Sequence, residues 1–245
     1  MSTPILEIAA NSVASALAAE AGGATRVELC CALEVGGLTP SHATIAMARE
    51  RLGIPIHVLI RPRPGDFAYD DLECETMLRD VEHCRAFGCE GVVLGALDAD
   101  GDVDMPRCRG LIAAAKGMNT TFHRAFDCAR DPEHALEDVI ALGCGRLLTS
   151  GQSIDARSGV PLIRKLVEQS RERIVVMAGA GITPENIAAV VAASGVRELH
   201  ASAKKERPPS MHRSNTSLPG LTDSTWCTDA DQVHAMVEAL RAVAN

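Results

Sequence analysis

The stretch from Ile5 to Cys31, ILEIAANSVASALAAEAGGATRVELCC, decides the fold of this chain. It begins with a short apolar segment of strand length, Ile5–Ala10, and continues into a helix-like segment that reaches a glycine at Gly22. It ends in a second apolar segment, Arg26–Cys31. A strand, a helix and a further strand in this order are typical of a parallel βαβ unit. The same alternation then continues along the rest of the chain.

Eight apolar segments of strand length, each followed by a helix-like segment, occur in the 245 residues. They are Ile5–Ala10, Arg26–Cys31, Ile54–Arg61, Gly91–Leu97, Thr120–Phe126, Arg146–Gly151, Ile174–Gly179 and Arg197–Ala203. Eight βα units in a chain of this length predict a closed (β/α)8 barrel formed by one α/β domain, residues 1–245. In such barrels the functional residues lie at the C-terminal ends of the strands.

The alternation is interrupted once, after the eighth strand, by a polar segment without periodicity at residues 204–228. A long loop in a compact domain is commonly either a functional lid or disordered. Because this segment follows a strand, we expect it to emerge over the C-terminal face, and we favour a lid over a disordered insert.

Composition excludes several functional classes. The net charge is −8, whereas a general nucleic-acid binder would show a basic face. The chain has no apolar run long enough to cross a membrane, and its first basic residue is Arg26, so it lacks the charged start of a secretory signal. Nine cysteines without a C-x-x-C pair indicate reduced thiols in the cytoplasm. We expect a cytoplasmic protein, forming a homo-oligomer, that binds neither nucleic acid nor membranes.

Strand side chains alternate between two faces, and this separates the barrel interior from the helix layer. Apolar residues such as Leu6, Ile8 and Val27 share one parity and should face the helices. The opposite parity is polar and should point inward. It includes Glu7, Glu28, Cys30, His57, Arg61, Arg63, His123, Asp127, Glu198, His200 and Ser202.

Buried charges are costly unless they pair or contact a ligand. One interpretation is therefore a closed ion network in which Glu7 and Glu28 bridge Arg61. The other is a ligand pocket, which the concentration of arginine and histidine at the strand ends favours. Of the two adjacent cysteines, Cys30 should face the axis and Cys31 the helix layer.

Several runs at the strand ends are more specific than barrel patterning. They are RVELC and GGLTPS at 26–41, IRPRPGDFAYDD at 60–71, TFHRAFD at 121–127, LLTSGQ at 147–152, MAGAGI at 177–182 and ELHASA at 198–203. Together they closely resemble the copper homeostasis protein CutC family, from Glu7 to about Ser202. The resemblance implies a TIM barrel, a cytoplasmic role in copper homeostasis, and Cu(I) binding through cysteine.

The chain departs from this family pattern where copper would bind. The family commonly has a cysteine just after the first-strand glutamate, and here Ala9 stands at that position. Cys30 remains as the metal-ligand candidate of the inward pair, and Cu(I) prefers several soft ligands. The MHRSN run at 211–215 also differs from the family's usual Met, aromatic and Arg-Asn order.

The alternative function is a TIM-barrel enzyme that acts on a small anionic substrate bearing phosphate or carboxylate. Glu28 or His123 would be the general base, and Asp127 could orient it. The AGAGITPEN run after strand seven would bring backbone amides and a helix start near an anion. The candidate substrate-binding residues are Glu7, Arg61, Arg63, Arg124, Ser150, Gly179, Gly181, His200 and Ser202.

Overall fold

Eight parallel strands close into a barrel in chain order in the computed structural model, which describes residues 3–213 and 224–244. The strands are β1 Ile5–Ala10, β2 Arg26–Leu29, β3 Ile56–Leu59, β4 Gly91–Leu94, β5 Asn119–Phe122, β6 Arg146–Thr149, β7 Val175–Gly179 and β8 Glu198–Ala201. The strand order and the parallel pairing confirm the (β/α)8 barrel.

Helices surround the barrel and connect successive strands. They are α1 Val13–Ala21, α2 His42–Arg51, α3 Asp71–Ala86, α4 Met105–Ala114, α5 Pro132–Ala141, α6 Val160–Ser170, α7 Ile187–Ser194 and α8 Ala230–Ala244. Two short 3-10 helices, Leu33–Val35 and Arg124–Cys128, follow β2 and β5. Within the described ranges, no helix combines the length and apolarity needed to cross a membrane.

The predicted strand parity holds in the outer layer of the core. Leu6 and Ile8 of β1 and Val27 and Leu29 of β2 are buried with the inner faces of the helices in one apolar cluster. Complete burial of each such side chain stabilises the fold by about 1.5–3 kcal/mol. The opposite parity places polar side chains on the barrel axis, where Gly91 leaves the space that His57 occupies. A Cβ atom at Gly91 would lie 2.5 Å from the imidazole ring.

Most strands end earlier than the apolar segments predict. The clearest difference is at β5, which stops at Phe122, while the expected strand runs to Phe126. His123 instead caps the following 3-10 helix, and its Nδ1 accepts a hydrogen bond from the backbone N–H of Ala125 at 3.2 Å. The parity argument therefore does not apply to Ala125 and Asp127, because both lie in a helix rather than a strand.

The segment after β8 contains more regular structure than a loop. Strand β9, Lys204–Arg207, pairs antiparallel with β10, Thr225–Thr228, in a separate two-stranded sheet. Lys204 extends its ammonium group over the Trp226 ring, with 5.1 Å between the nitrogen and the ring centroid. The part of the predicted lid at residues 214–223 lies outside the described residues.

Candidate functional site

A cavity of about 740 Å³ opens at the C-terminal ends of the barrel strands. Its wall combines apolar side chains, such as Leu59 and Phe67, with charged groups, as small-molecule sites commonly do. Eight of the residues predicted from the sequence line it: Glu28, Arg61, His123, Arg124, Asp127, Gly181, His200 and Ser202. Lys204, which the sequence places with Ser202 after β8, lines it as well, and so does Gln232, which the sequence reasoning did not select.

Five predicted residues lie outside the cavity lining. Glu7 is completely buried within the barrel, and Cys30 lies in an apolar cluster with Leu59 and Val93. Ser150 is buried beside Asp127, and Gly179 packs so closely that a Cβ atom there would lie 2.6 Å from Leu148. The fifth residue, Arg63, belongs to the loop between β3 and α3.

The carboxyl group of Glu28 lines the cavity from β2 and makes no hydrogen bond to any described residue. Burial raises the pKa of Glu28 to about 7, and the negative charge of Glu7 contributes to the increase. A carboxyl group with this pKa can accept and release a proton near neutral pH.

His200 lies close to both Glu28 and the buried Glu7. Its Nδ1 lies 2.8 Å from Oε1 of Glu7, and ligating atoms of Glu7, Glu28 and His200 all lie within 4.8 Å of one another. Burial alone would lower the pKa of His200, but the charge of Glu28 and the hydrogen bond to Glu7 raise it. An imidazolium in this position would compensate the charge of an ionised Glu28.

His123 is buried on another side of the cavity, and its imidazole is neutral. Burial lowers the pKa of His123 to about 3, and the positive charge of Arg61 acts in the same direction. Because Nδ1 accepts the Ala125 amide hydrogen bond, the proton of the neutral ring belongs on Nε2. Nε2 is buried and has no hydrogen-bond partner among the described residues. The ring of this cavity-lining residue therefore carries an unused donor.

Arg61 holds two loops at the cavity and keeps its positive charge uncompensated. Its terminal nitrogens donate to the carbonyl oxygens of Val35, Gly37 and Gly65 at 2.8–3.0 Å. It forms no ion pair within the described part of the chain, and its Nε is buried without a partner. The less favoured interpretation, a network in which Glu7 and Glu28 bridge Arg61, is wrong, because the Arg61 guanidinium is bonded to the loop carbonyls instead.

The actual partner of Glu7 is Arg26, which the sequence reasoning missed. Arg26 Nε lies 2.5 Å from Glu7 Oε2, and its Nη2 lies 2.7 Å from Glu198 Oε2. Arg146 donates to the same Glu198 oxygen at 2.8 Å. Arg26 shares the inward parity of Glu28, so its inward orientation could have been predicted from its position at the start of β2. This closed network fills the barrel interior beside the cavity.

Asp127 has a different role from the one expected. It accepts hydrogen bonds from Arg124 Nε at 2.7 Å, from Thr149 Oγ1 at 2.5 Å and from the backbone and hydroxyl of Ser150 at 3.0 Å. None of its hydrogen-bond partners in the described ranges is His123. Asp127 therefore joins the loop after β5 to the loop after β6 and positions Arg124, rather than orienting a base.

Arg63 forms its hydrogen bonds within the β3–α3 region and does not itself line the cavity. Its guanidinium donates to Glu73 at 2.5 Å, to Asp66 at 3.0 Å and to the carbonyl oxygen of Ala68 at 2.8 Å. These bonds satisfy the side chain within the β3–α3 connection.

The glycine-rich run after β7 lines the cavity, but its helix starts later than predicted. Gly181 and Thr183 border the cavity, whereas α7 begins at Ile187 with Asn186 as its N-cap residue. The Asn186 side chain accepts the backbone N–H of Thr183 at 2.9 Å, so that amide is not free for a ligand. Ser202 and Lys204 border the cavity after β8, as expected for a site at this end of the barrel.

The surroundings of Cys30 do not fit a tight Cu(I) site. Burial raises the pKa of the Cys30 thiol well above its usual range, so the thiolate that binds copper is disfavoured. The thiol donates to the carbonyl oxygen of Ala10, and its apolar cluster supplies no second sulfur. The nearby cluster of Glu7, Glu28 and His200 has hard oxygen and nitrogen donors, and both oxygens of Glu7 are already bonded.

The sequence of this chain is similar to that of a known protein family. A statistical model of the CutC family matches residues 4–205. A family protein CutC from Xanthomonas campestris pv. campestris is 52% identical over 236 residues, covering 96% of this chain and 98% of that relative. A family protein CutC from Chromobacterium violaceum is 53% identical over 241 residues, with the same coverage of both chains.

Solved structures give the same fold. The protein from Streptococcus agalactiae provisionally named copper homeostasis protein CutC is 33% identical, with a TM-score of 0.78, covering 81% of this chain and 98% of its own. Thiamine phosphate pyrophosphorylase from Pyrococcus furiosus is 17% identical, with a TM-score of 0.62, covering 98% and 97% of the two chains. At that identity, the second likeness concerns the barrel alone.

Proposed function

This chain belongs to the CutC family, and we propose that it is a barrel enzyme that binds a small anionic substrate and moves a proton on it through Glu28. The substrate would bear a phosphate or carboxylate group. The observation that carries this proposal is the pair of titratable groups on the cavity wall, Glu28 and His123. Their surroundings shift the two pKa values in opposite directions, to about 7 and about 3.

Anion binding is supported by the uncompensated charge of Arg61 and the free donors around it. A guanidinium that has no carboxylate partner among the described residues attracts an anion strongly in a partly buried cavity. Nε2–H of His123 offers a further donor, and Lys204 and Arg124 add positive charge on the lining. Asp127 compensates Arg124, which leaves Arg61 as the principal anion-binding group.

Each residue then has a distinct task. Arg61 and His123 would bind and orient the anionic oxygens, because both have unused N–H groups. Glu28 would accept a proton from the substrate and return it, since its pKa lies near neutral pH. His200 would stabilise the ionised form of Glu28 through its positive charge.

The first experiment measures the thermal stability of the protein at pH 7 with inorganic phosphate, glycerol 3-phosphate or glycerol. The two anions should raise the melting temperature, and uncharged glycerol at the same concentration should not, because bound ligand stabilises the folded state. Arg61→Gln should abolish the response, and Arg124→Gln should weaken it. Arg79→Gln is the matched control, because Arg79 is exposed and pairs only with Glu75 on α3 among the described residues.

Two results would contradict the proposal. The first is a wild-type melting temperature that does not change with either anion at millimolar concentration, which would mean that Arg61 does not bind an anion. An equal response in Arg61→Gln and Arg79→Gln would place anion binding elsewhere on the protein.

A relation to copper is a second candidate, favoured by the name of the Streptococcus agalactiae relative. We propose Cys30 as the inward sulfur ligand and expect Cu(I) binding there to be weak, because Cys30 has an apolar environment and a raised thiol pKa. Competition of the reduced protein against a strong Cu(I) chelator tests this. Retention of one Cu(I) per chain by both wild type and Cys30→Ser would refute the assignment.

We also propose a cytoplasmic location, since all nine cysteines are unpaired, as in a reducing compartment. That the chain forms a homo-oligomer stays a prediction, and light scattering of the purified protein measures its molar mass in solution.

A further inference from the structure

Three metal-ligating side chains meet on the outside of the barrel, away from the residues that line the cavity. His42 is the first residue of α2, and Asp80 and His83 lie on α3. Asp80 and His83 are three residues apart, so they project from the same face of the helix. The packing of α2 against α3 brings His42 to that face.

We propose that His42, Asp80 and His83 form a site for one divalent transition metal ion. One ligating atom from each residue lies within 4.8 Å of the other two. Zinc bonds to nitrogen of about 2.0–2.1 Å place tetrahedral ligands about 3.3 Å apart, so small rotations of the exposed histidines and the half-buried Asp80 complete the site.

The ligand atoms are free to bind a metal. In the described part of the chain, none of the three side chains makes a hydrogen bond or an ion pair within 4.0 Å. The two imidazole rings lie 3.8 Å apart between centroids, an arrangement in which two imidazolium charges would repel. Phe87 lies beside His42 with 6.1 Å between ring centroids.

The donor set determines which metals fit. Two imidazoles and one carboxylate suit Zn²⁺, Ni²⁺ and Cu²⁺, whereas Mg²⁺ and Ca²⁺ prefer oxygen ligands and Cu(I) prefers sulfur. Three protein ligands leave at least one position for water or a further ligand. His83 lies in the last turn of α3, where the helix dipole favours positive charge.

Metal binding at this site should link α2 to α3, because the ligands come from both helices. The site shares no residue with the barrel cavity, so it is independent of the proposed anion site. It also gives copper in its divalent form a binding place that does not involve Cys30. Copper titrations of Cys30 therefore need Cu(I) under reducing conditions.

The test uses Zn²⁺ as the probe and compares four proteins in chelator-free buffer. Wild type should bind one Zn²⁺ by calorimetry, and at hundredfold excess over Kd its melting temperature should rise by about 5–10 °C. His83→Ala should abolish both effects, and Asp80→Asn should weaken binding at least tenfold. His134→Ala is the matched control, because exposed His134 has only Asp138 beside it, at 3.6 Å, among the described residues.

The cysteines are the competing zinc ligands, and a second measurement separates them. Bound Co²⁺ should show no thiolate-to-metal charge-transfer absorption if the site consists of imidazole and carboxylate. No zinc binding by wild type, or equal binding by wild type and His83→Ala, would overturn the proposal. A cobalt–thiolate absorption band that is also present in His83→Ala would overturn the proposal as well.

Discussion

Replacement of Glu28 by glutamine should change the pH dependence of stability. Glu28 is the buried carboxyl group whose pKa rises from 4.5 to about 7 on folding. A raised folded-state pKa means that the folded protein binds more protons than the unfolded chain between these two values. Stability from the protonated form is therefore complete below pH 4.5 and decreases as the pH rises through 7.

The magnitude follows from the two pKa values. Because Glu28 ionises more readily in the unfolded chain than in the folded protein, wild type loses about 1 kcal/mol of stability at pH 5 and about 3 kcal/mol at pH 8, relative to acid pH. Glu28→Gln removes this cost. Any cost of placing an amide in the cavity is the same at both pH values. The variant should therefore gain about 2–3 kcal/mol relative to wild type between pH 5 and pH 8.

Urea unfolding of both proteins at pH 5 and pH 8 measures this difference. Glu34→Gln is the matched control, because Glu34 is an exposed glutamate near the same end of the barrel, and we expect it to show no such gain. A difference between Glu28→Gln and wild type that is equal at both pH values would refute the reasoning. A larger loss of stability in the variant at pH 8 would show that Glu28 is a stabilising anion.

Further predictions concern the charges and the sulfur ligands. Arg26→Met should cost about 3–5 kcal/mol of unfolding free energy, because it leaves the Oε2 oxygen of the completely buried Glu7 without its guanidinium partner, and urea unfolding measures this cost. Arg63→Met should cost less and leave the phosphate response in place, since the Arg63 side chain does not itself line the cavity; urea unfolding and thermal melts with phosphate check both points. Ala9→Cys should strengthen Cu(I) retention against a chelator by adding a second inward sulfur, whereas Cys31→Ser should change it little.

Residue alternation was sufficient to predict much of the site. Glu7, Glu28 and His200 lie inside the barrel because strand side chains alternate with a period of two and their neighbours are apolar. The same rule places Cys30 inside. His123 is also buried, although the reason differs, because it caps a 3-10 helix instead of continuing β5.

Which charged residues pair, and which helices contact each other, could be known only from the tertiary structure. Alternation says that Glu7 points inward, but the register of β1 against β2 pairs it with Arg26 instead of Arg61. His42 and His83 are 41 positions apart, and only the packing of α2 against α3 makes them neighbours. The sequence by itself determined which face each strand residue occupies, because that depends on local backbone geometry. The tertiary structure decided which charges meet, because that depends on how separate elements are aligned in space.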